Sequence, residues 1–171
     1  MSKVREERPQ VTANQGKITT KEGKGLRVYL ASPFFSEEQI AEVERLEQAL
    51  ISNPHVSEVF SPMRNQIDSL EFGSLEWRQA IFENDVTHID WADVVVAVHD
   101  YFDDKTDAGT AWEMGYTYAK GKPVFLLQEK KGVPVNLMLS ESIVAYFVNA
   151  DEIAEYDFTN PQNIRFYGEV F

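Results

Sequence analysis

The sequence contains no cysteine. No disulfide holds the fold, and no thiol serves as nucleophile or metal ligand. Histidine is scarce: His55, His88 and His99 lack the close spacing of a metal site, so no metal is assigned. No apolar run approaches the ~20 residues that a membrane helix requires. The N-terminus lacks the apolar stretch of a signal peptide. A cytoplasmic location and no membrane partner are the expectations that follow. Basic residues are also few, with 16 Lys and Arg against 28 Asp and Glu and a formal charge of −12. Affinity for nucleic acid rests on basic contacts to phosphate, so no nucleic-acid partner is expected. The acidity as a whole reads as a solubility feature. The stretch after the first apolar run, ASPFFSEEQ, has no Gly, Lys or Arg. That weakens a dinucleotide, nucleoside triphosphate or flavin phosphate as ligand, and no cofactor is assigned.

The chain has 171 residues, the length of one ordinary domain. Its apolar fraction is 43%, and eleven Phe, seven Tyr and three Trp supply ring surface for a core. Residues 1–25 are polar and without periodicity, and read as a mobile tail. Residues 26–171 read as the single folded domain.

Within that domain, Arg27 to Phe35 reads as a buried strand entering a loop. Ser36 followed by Gln39 is a capping-box pattern. The helix behind it carries Ile40, Val43, Leu46 and Leu50 on one stripe and ends at Asn53-Pro54. A short strand is expected from Val56 to Pro62 and a second helix from Ser74 to about Ile89. The run DVVVAV after it is a strand buried on both faces. A polar loop leads to a third helix from Ala108 to Lys120, stopped by Gly121. Further strands are expected at Pro123–Leu127 and Val144–Val148. Strands alternating with helices predict a parallel sheet covered on both faces. Ligands of such sheets sit at the carboxyl ends of the strands, here the loops after Tyr29, Val98 and Leu127.

Three groups of residues could carry chemistry. Asp85 shares a helical stripe with Trp77, Ile81 and Ile89. A carboxylate on an apolar face gains proton affinity and suits a proton donor. A helix-end aspartate turned to solvent fits the pattern alone better. Asp107 stands where a helix N-cap belongs. Glu113 follows in the second turn of a helix whose Ala108, Ala111, Gly115 and Ala119 permit close packing. Its side chain leans back toward the strand ends, where the positive helix terminus would favour the ionised, nucleophilic form. A plain surface glutamate is the alternative, and the commoner fate of that residue type. Tyr29 could hydrogen-bond such a carboxylate or simply be core. Asn136 and Met138 could present an amide and a thioether to a ligand, or be a polar turn and a core methionine.

The segments VYLASPFF, Asn84-Asp85, DAGTAWEMGYTYAKGK, PVNLM and the terminal FYGEVF, in that order, resemble the nucleoside 2'-deoxyribosyltransferase family from Leu26 to Phe171. The resemblance implies an α/β, Rossmann-like (flavodoxin-like) three-layer fold with a parallel five-stranded sheet. It implies exchange of the nucleobase of a 2'-deoxyribonucleoside by a retaining double displacement. Glu113 would be the nucleophile, Asp85 the residue that handles the proton of the base, and Tyr29 the group that positions Glu113. Asp107 would bind a sugar hydroxyl and Gln66 the base. Asn136 and Met138 would reach into a neighbouring subunit's site, within a homo-oligomer that is a hexamer or dimer-based. Substrates would be 2'-deoxyribonucleosides and free nucleobases. Phe34, Phe35 and Trp112 are candidates to stack on the base, each also suited to plain core. The family often ends in a tyrosine that helps hold the nucleophile; this chain ends in Phe171. Two alternatives stay open. One is a deoxynucleoside 5'-monophosphate N-glycosidase on the same scaffold, disfavoured by Pro33 and Phe34 where such enzymes carry glycine and arginine. The other is a non-catalytic nucleoside-binding module.

Overall fold

The computed structural model describes residues 18–19, 25–103 and 105–171. Most of the segment read as a tail lies outside the described residues. Six strands are described: β1 (Ile18–Thr19), β2 (Leu26–Ala31), β3 (Val56–Phe60), β4 (Val94–Val98), β5 (Val124–Leu127) and β6 (Ala145–Phe147). They form one sheet in the order β1-β3-β2-β4-β5-β6. The last five are parallel, as expected. β1 is an addition to that expectation. It pairs antiparallel with β3 at the sheet edge, Ile18 opposite Val59, within the stretch assigned to the tail.

Alternation along each strand divides the core into two layers. Val28 and Leu30 face Val43, Leu46 and Leu50 of α1 (Glu37–Ser52) and Ile153 of α5 (Ala150–Glu155). Tyr29 and Ala31 face the opposite layer, with Ile89 of α2 (Leu75–Trp91) and Met114 of α3 (Ala108–Ala119). Every residue of β4 is buried, which explains its unbroken apolar run, β-branched at all positions but Ala97. The α1 stripe differs from the expectation at one position: Ile40 is exposed, whereas Gln39, Glu42 and Glu47 are buried. Two short helices escaped the sequence reading, α4 (Leu137–Ser140) and α5.

Side-chain caps set the helix starts. Ser36, Ser74, Asp107, Asn136 and Asn149 each accept a backbone N–H from the first turn of the helix that follows. The capping box of α1 is modified: Ser36 accepts from Gln39, but the Gln39 amide reaches back one residue further, to the N–H of Phe35. Gly121 ends α3 with a φ of 70°, open to glycine at no steric cost. Asn53, fully buried, donates to the carbonyls of Ile153 and Tyr156 and so joins the end of α1 to α5. On the opposite face of the sheet Lys122 donates to three carbonyls at the close of α2, those of Ile89, Asp90 and Ala92. No described helix is long and apolar enough to cross a membrane.

In this strand order the chain reverses direction of travel between β2 and β4. The crevice between their carboxyl ends is where a ligand of such a sheet binds.

Candidate active site

A cavity of about 400 Å³ opens at that crevice. Ser32 and Phe34 reach it from the loop after β2, and Pro62, Asn65 and Gln66 from the turn after β3. Phe72, Trp77, Ile81 and Asp85 form the wall on the side of α2, and Asp107, Gly109, Thr110 and Glu113 that of α3. Asp85, Asp107, Glu113, Gln66 and Phe34, all singled out from sequence, therefore meet in one cavity. Phe35 also borders it, although its ring is largely exposed.

Glu113 is the sixth residue of α3. Its side chain leans toward the helix start and over the end of β2. There Tyr29, itself inaccessible to solvent, donates its hydroxyl to Glu113 Oε1 at 2.5 Å. Tyr29 is held in turn by stacking on Phe60, with ring centres 5.6 Å apart. Asp107 caps the helix, its Oδ2 accepting the N–H of Thr110 at 3.0 Å. Glycine at 109 leaves room for the capping carboxylate, since a Cβ there would stand 2.9 Å from Asp107 Oδ2 and push it aside. The cavity floor thus holds three carboxyl groups, from Asp85, Asp107 and Glu113.

Burial among apolar groups raises two of these carboxyls, Asp85 and Glu113. It pushes Asp85 up to about 7. It pushes Glu113 up to about 8, with the charges of Asp85 and Asp107 adding to the rise and the Tyr29 hydrogen bond opposing it. Burial and the charge of Glu113 also raise Tyr29 well above the ordinary phenol range, so it stays a donor. The helix terminus was expected to keep Glu113 ionised, and it does not prevail. It contributes about 0.3–1 kcal/mol and fades beyond the first turn, less than burial demands. The empty site therefore holds a proton near neutral pH, shared between interacting carboxyls.

Several site residues were missed by sequence reasoning. The hydroxyls of Ser32 and Thr110 are buried at the cavity and lack a hydrogen-bond partner among the described residues. Phe72 and Trp77 stand 4.6 Å apart, ring to ring, at the mouth. An exposed phenylalanine beside a turn glycine, in EFGS, was the one local signal for that wall. Arg64 pairs with Glu47 of α1 at 2.8 Å and thereby fixes the turn that carries Asn65 and Gln66. The Gln66 amide itself donates to the Pro62 carbonyl.

Other residues lie elsewhere. Trp112 does not line the cavity. It stacks on Tyr116 at 5.2 Å and meets Phe82, on a groove of about 350 Å³ that continues outward between α2 and α3. Asn136 caps α4 by accepting the N–H of Met138, whose side chain is 72% exposed. Neither residue lines the cavity of its own chain. The C-terminal segment runs beside them, with the Leu137 N–H donating to the Phe171 carbonyl, and Phe171 is exposed. The histidines are dispersed: His55 lies beside Asp157, His88 stacks on Phe60 and His99 meets Gln128.

A raised carboxyl stabilises the fold at low pH, and that contribution is lost as pH rises through the raised value. The Glu113→Gln variant removes the loss at this position. Its unfolding midpoint should match that of the unaltered chain at about pH 5 and exceed it by roughly 2–4 °C at about pH 8. Thermal melts across that range check this; equal midpoints throughout would contradict the buried, raised state of Glu113.

The chain was compared with known proteins. Residues 28–162 match the family model described as nucleoside 2-deoxyribosyltransferase. A nucleoside deoxyribosyltransferase of Limosilactobacillus fermentum is 34% identical over 149 residues, 79% of this chain and 88% of that protein. One from Lactobacillus johnsonii is 28% identical over 149 residues, covering 81% and 98%. The solved structure of a 2-deoxyribosyltransferase from Bacillus psychrosaccharolyticus superposes with a TM-score of 0.74 at 43% identity, covering 82% of this chain and 98% of that one. With its fold, its cavity and these likenesses in agreement, the chain belongs to the nucleoside 2-deoxyribosyltransferase family.

Proposed function

We propose that this enzyme exchanges the base of a 2'-deoxyribonucleoside through a covalent deoxyribosyl ester on Glu113. The observation that carries the reading is the half-buried Glu113 carboxyl, bonded to Tyr29 on one oxygen and facing the cavity beside Asp85. Tyr29 occupies Oε1, which leaves Oε2 to attack the anomeric carbon. In the reactive form one proton rests on Asp85 and Glu113 is ionised. Asp85 passes that proton to a nitrogen of the base, directly or through a water, as the C1'–N bond breaks. Glu113 bonds to C1' from the opposite face, giving the free base and the ester. The second base enters the same pocket and returns its proton to Asp85. It attacks C1' as the ester bond breaks, so configuration is retained overall.

The sugar ring carries positive charge at both transition states. A cavity floor with three carboxyls and, among the described lining residues, no cation is complementary to that charge. Asp107 and the unpaired Ser32 and Thr110 hydroxyls would bind the sugar, and Gln66 and Phe34 the base. Deoxyinosine mixed with free adenine should yield deoxyadenosine, and Glu113→Ala should abolish it. The exchange rate should peak between about 7 and about 8, where the carboxyl pair holds one proton. Chromatography of the products decides the matter. Loss of base with no new nucleoside would indicate the glycosidase, and undiminished exchange by Glu113→Ala would remove the assigned nucleophile.

The same proposal extends to assembly. The chain forms a homo-oligomer, hexameric or dimer-based, in which Asn136 and Met138 act in a neighbour's cavity. The exposure of Met138, Leu137 and Phe171 on one end supports this. Asn136→Ala and Glu113→Ala should each be inactive alone and should regain part of the activity when refolded together. No recovery in the mixture would restrict both residues to one chain's site.

A further inference from the structure

Outside the cavity, on the α1 face of the sheet, lies a second pair of buried carboxyls. Glu42 of α1 is 7% exposed and Asp100, just past β4, is 3% exposed. Asp100 Oδ2 accepts the N–H groups of Glu129 and Lys130 at 2.7 and 2.8 Å. Its other oxygen, Oδ1, and Glu42 Oε1 are both buried without a conventional donor. His99 cannot supply one from Nδ1. Tyr146 donates to Gln128 Oε1, which fixes the orientation of that amide, and the Gln128 NH₂ then donates to His99 Nδ1 and to the Val133 carbonyl. His99 Nδ1 is therefore an acceptor and stands 3.7 Å from Asp100 Oδ1. The nearby cations are engaged elsewhere, Arg45 with Glu129 and Lys130 with the Tyr101 carbonyl. Two buried carboxyls that line one pocket and lie within reach of a mutual hydrogen bond, with no cation between them among the described residues, coexist only by sharing a proton.

We infer that a proton carried by Glu42 and donated to Asp100 latches the β2–α1 loop to the β4–α3 loop, and so positions both loops around the substrate cavity. Asp100 begins the segment that ends at the cavity residue Asp107. Glu42 lies one turn beyond Gln39, which holds the Phe35 N–H, and Phe34 of that loop lines the cavity. Above the pair, the Phe35 ring meets the edge of Tyr101 at 6.2 Å. A pocket of about 200 Å³ beside the pair, lined also by Glu38 and Asp103, gives the proton a route to water. Those two carboxylates add to the cost of a second ionisation. Burial and the charges of Asp100 and Glu129 raise Glu42 to about 8 against the charge of Arg45, and the two backbone N–H groups on Asp100 Oδ2 favour its ionised form, which puts the proton on Glu42. Above that pH two negative charges face each other, and the loops separate.

The consequence is a KM for the nucleoside that rises with pH for a reason separate from Glu113. This rests on the exchange reaction proposed above, so a second measurement independent of activity accompanies the kinetic one. The variants are Glu42→Gln, whose amide donates to Asp100 without titrating, and Glu42→Ala, which donates nothing. Between about pH 7 and about pH 9 the KM of the unaltered enzyme should rise about threefold or more, in Glu42→Gln it should stay low, and in Glu42→Ala it should be high throughout. The pH profile of kcat, set by Glu113 and Asp85, should be common to all three. In thermal melts the unaltered chain should lose stability from the ordinary carboxylate range up to about 8, and Glu42→Gln should lose less of it. A melting curve of Glu42→Gln with the full pH slope of the unaltered chain would overturn the shared proton. A flattened slope with an unchanged KM profile would overturn its role in the loops.

Discussion

Glu113 brings a carboxyl group into a wall of aromatic and aliphatic side chains, where a single 2.5 Å hydrogen bond from Tyr29 opposes the cost of its charge. The rest of the architecture maintains that contact. β2 is central and buried, so Tyr29 cannot move without breaking ladders to β3 and β4. α3 meets the sheet through Thr110, Met114 and Thr117, whereas Ala108, Gly115 and Ala119, expected to permit close packing, are exposed, and Asp107 fixes where the helix begins. Phe60 stacks on the Tyr29 ring from the neighbouring strand. A hydroxyl anchored in the core thus orients a carboxyl that lines the cavity.

The electrostatic character of the site follows from the same burial. A carboxylate is costly in this position when nothing positive is near, and three carboxyls are placed there together. Their destabilisation is relieved by a proton in the empty enzyme and, in the proposed reaction, by the positive charge of the sugar ring. Stability and catalysis are opposed at this floor, because what raises Glu113 when the cavity is empty is what favours a cationic transition state. The acidic pair at Glu42 and Asp100 follows the same rule on the other side of the sheet, where the proton joins loops.

Much of this was legible in the sequence, for local reasons. The VVVAV run is buried on both faces, so composition alone marked β4. Asp107 as cap and the backward lean of helical side chains allowed Glu113 to face the strand ends, but a surface glutamate was the commoner reading, and the resemblance chose between them. The resemblance placed Asp85, Gln66 and Phe34, and they meet in the same cavity. The missing parts depend on contacts distant in sequence. Phe72 and Trp77 form a wall only because the turn after β3 is tied to α1 through Arg64 and Glu47. Glu42 sits on a helix where a glutamate ordinarily faces water, and its burial comes from Asp100 on another element. Trp112 carried the correct chemistry for stacking on a base but points outward along α3, on Tyr116. The two shortest helices have cap residues, Asn136 and Asn149, yet too few turns for a periodic signal.

The central claim is a covalent bond between a carboxylate and a sugar carbon, and mass spectrometry reads it directly. The enzyme is mixed with a 2'-deoxyribonucleoside, quenched rapidly in acid and digested. The peptide containing Glu113 should then be found heavier by one deoxyribosyl group, and the adduct should disappear when an acceptor base is added before the quench. Exchange proceeding at full rate with that peptide unmodified, or with the sugar on a different residue, would contradict the account.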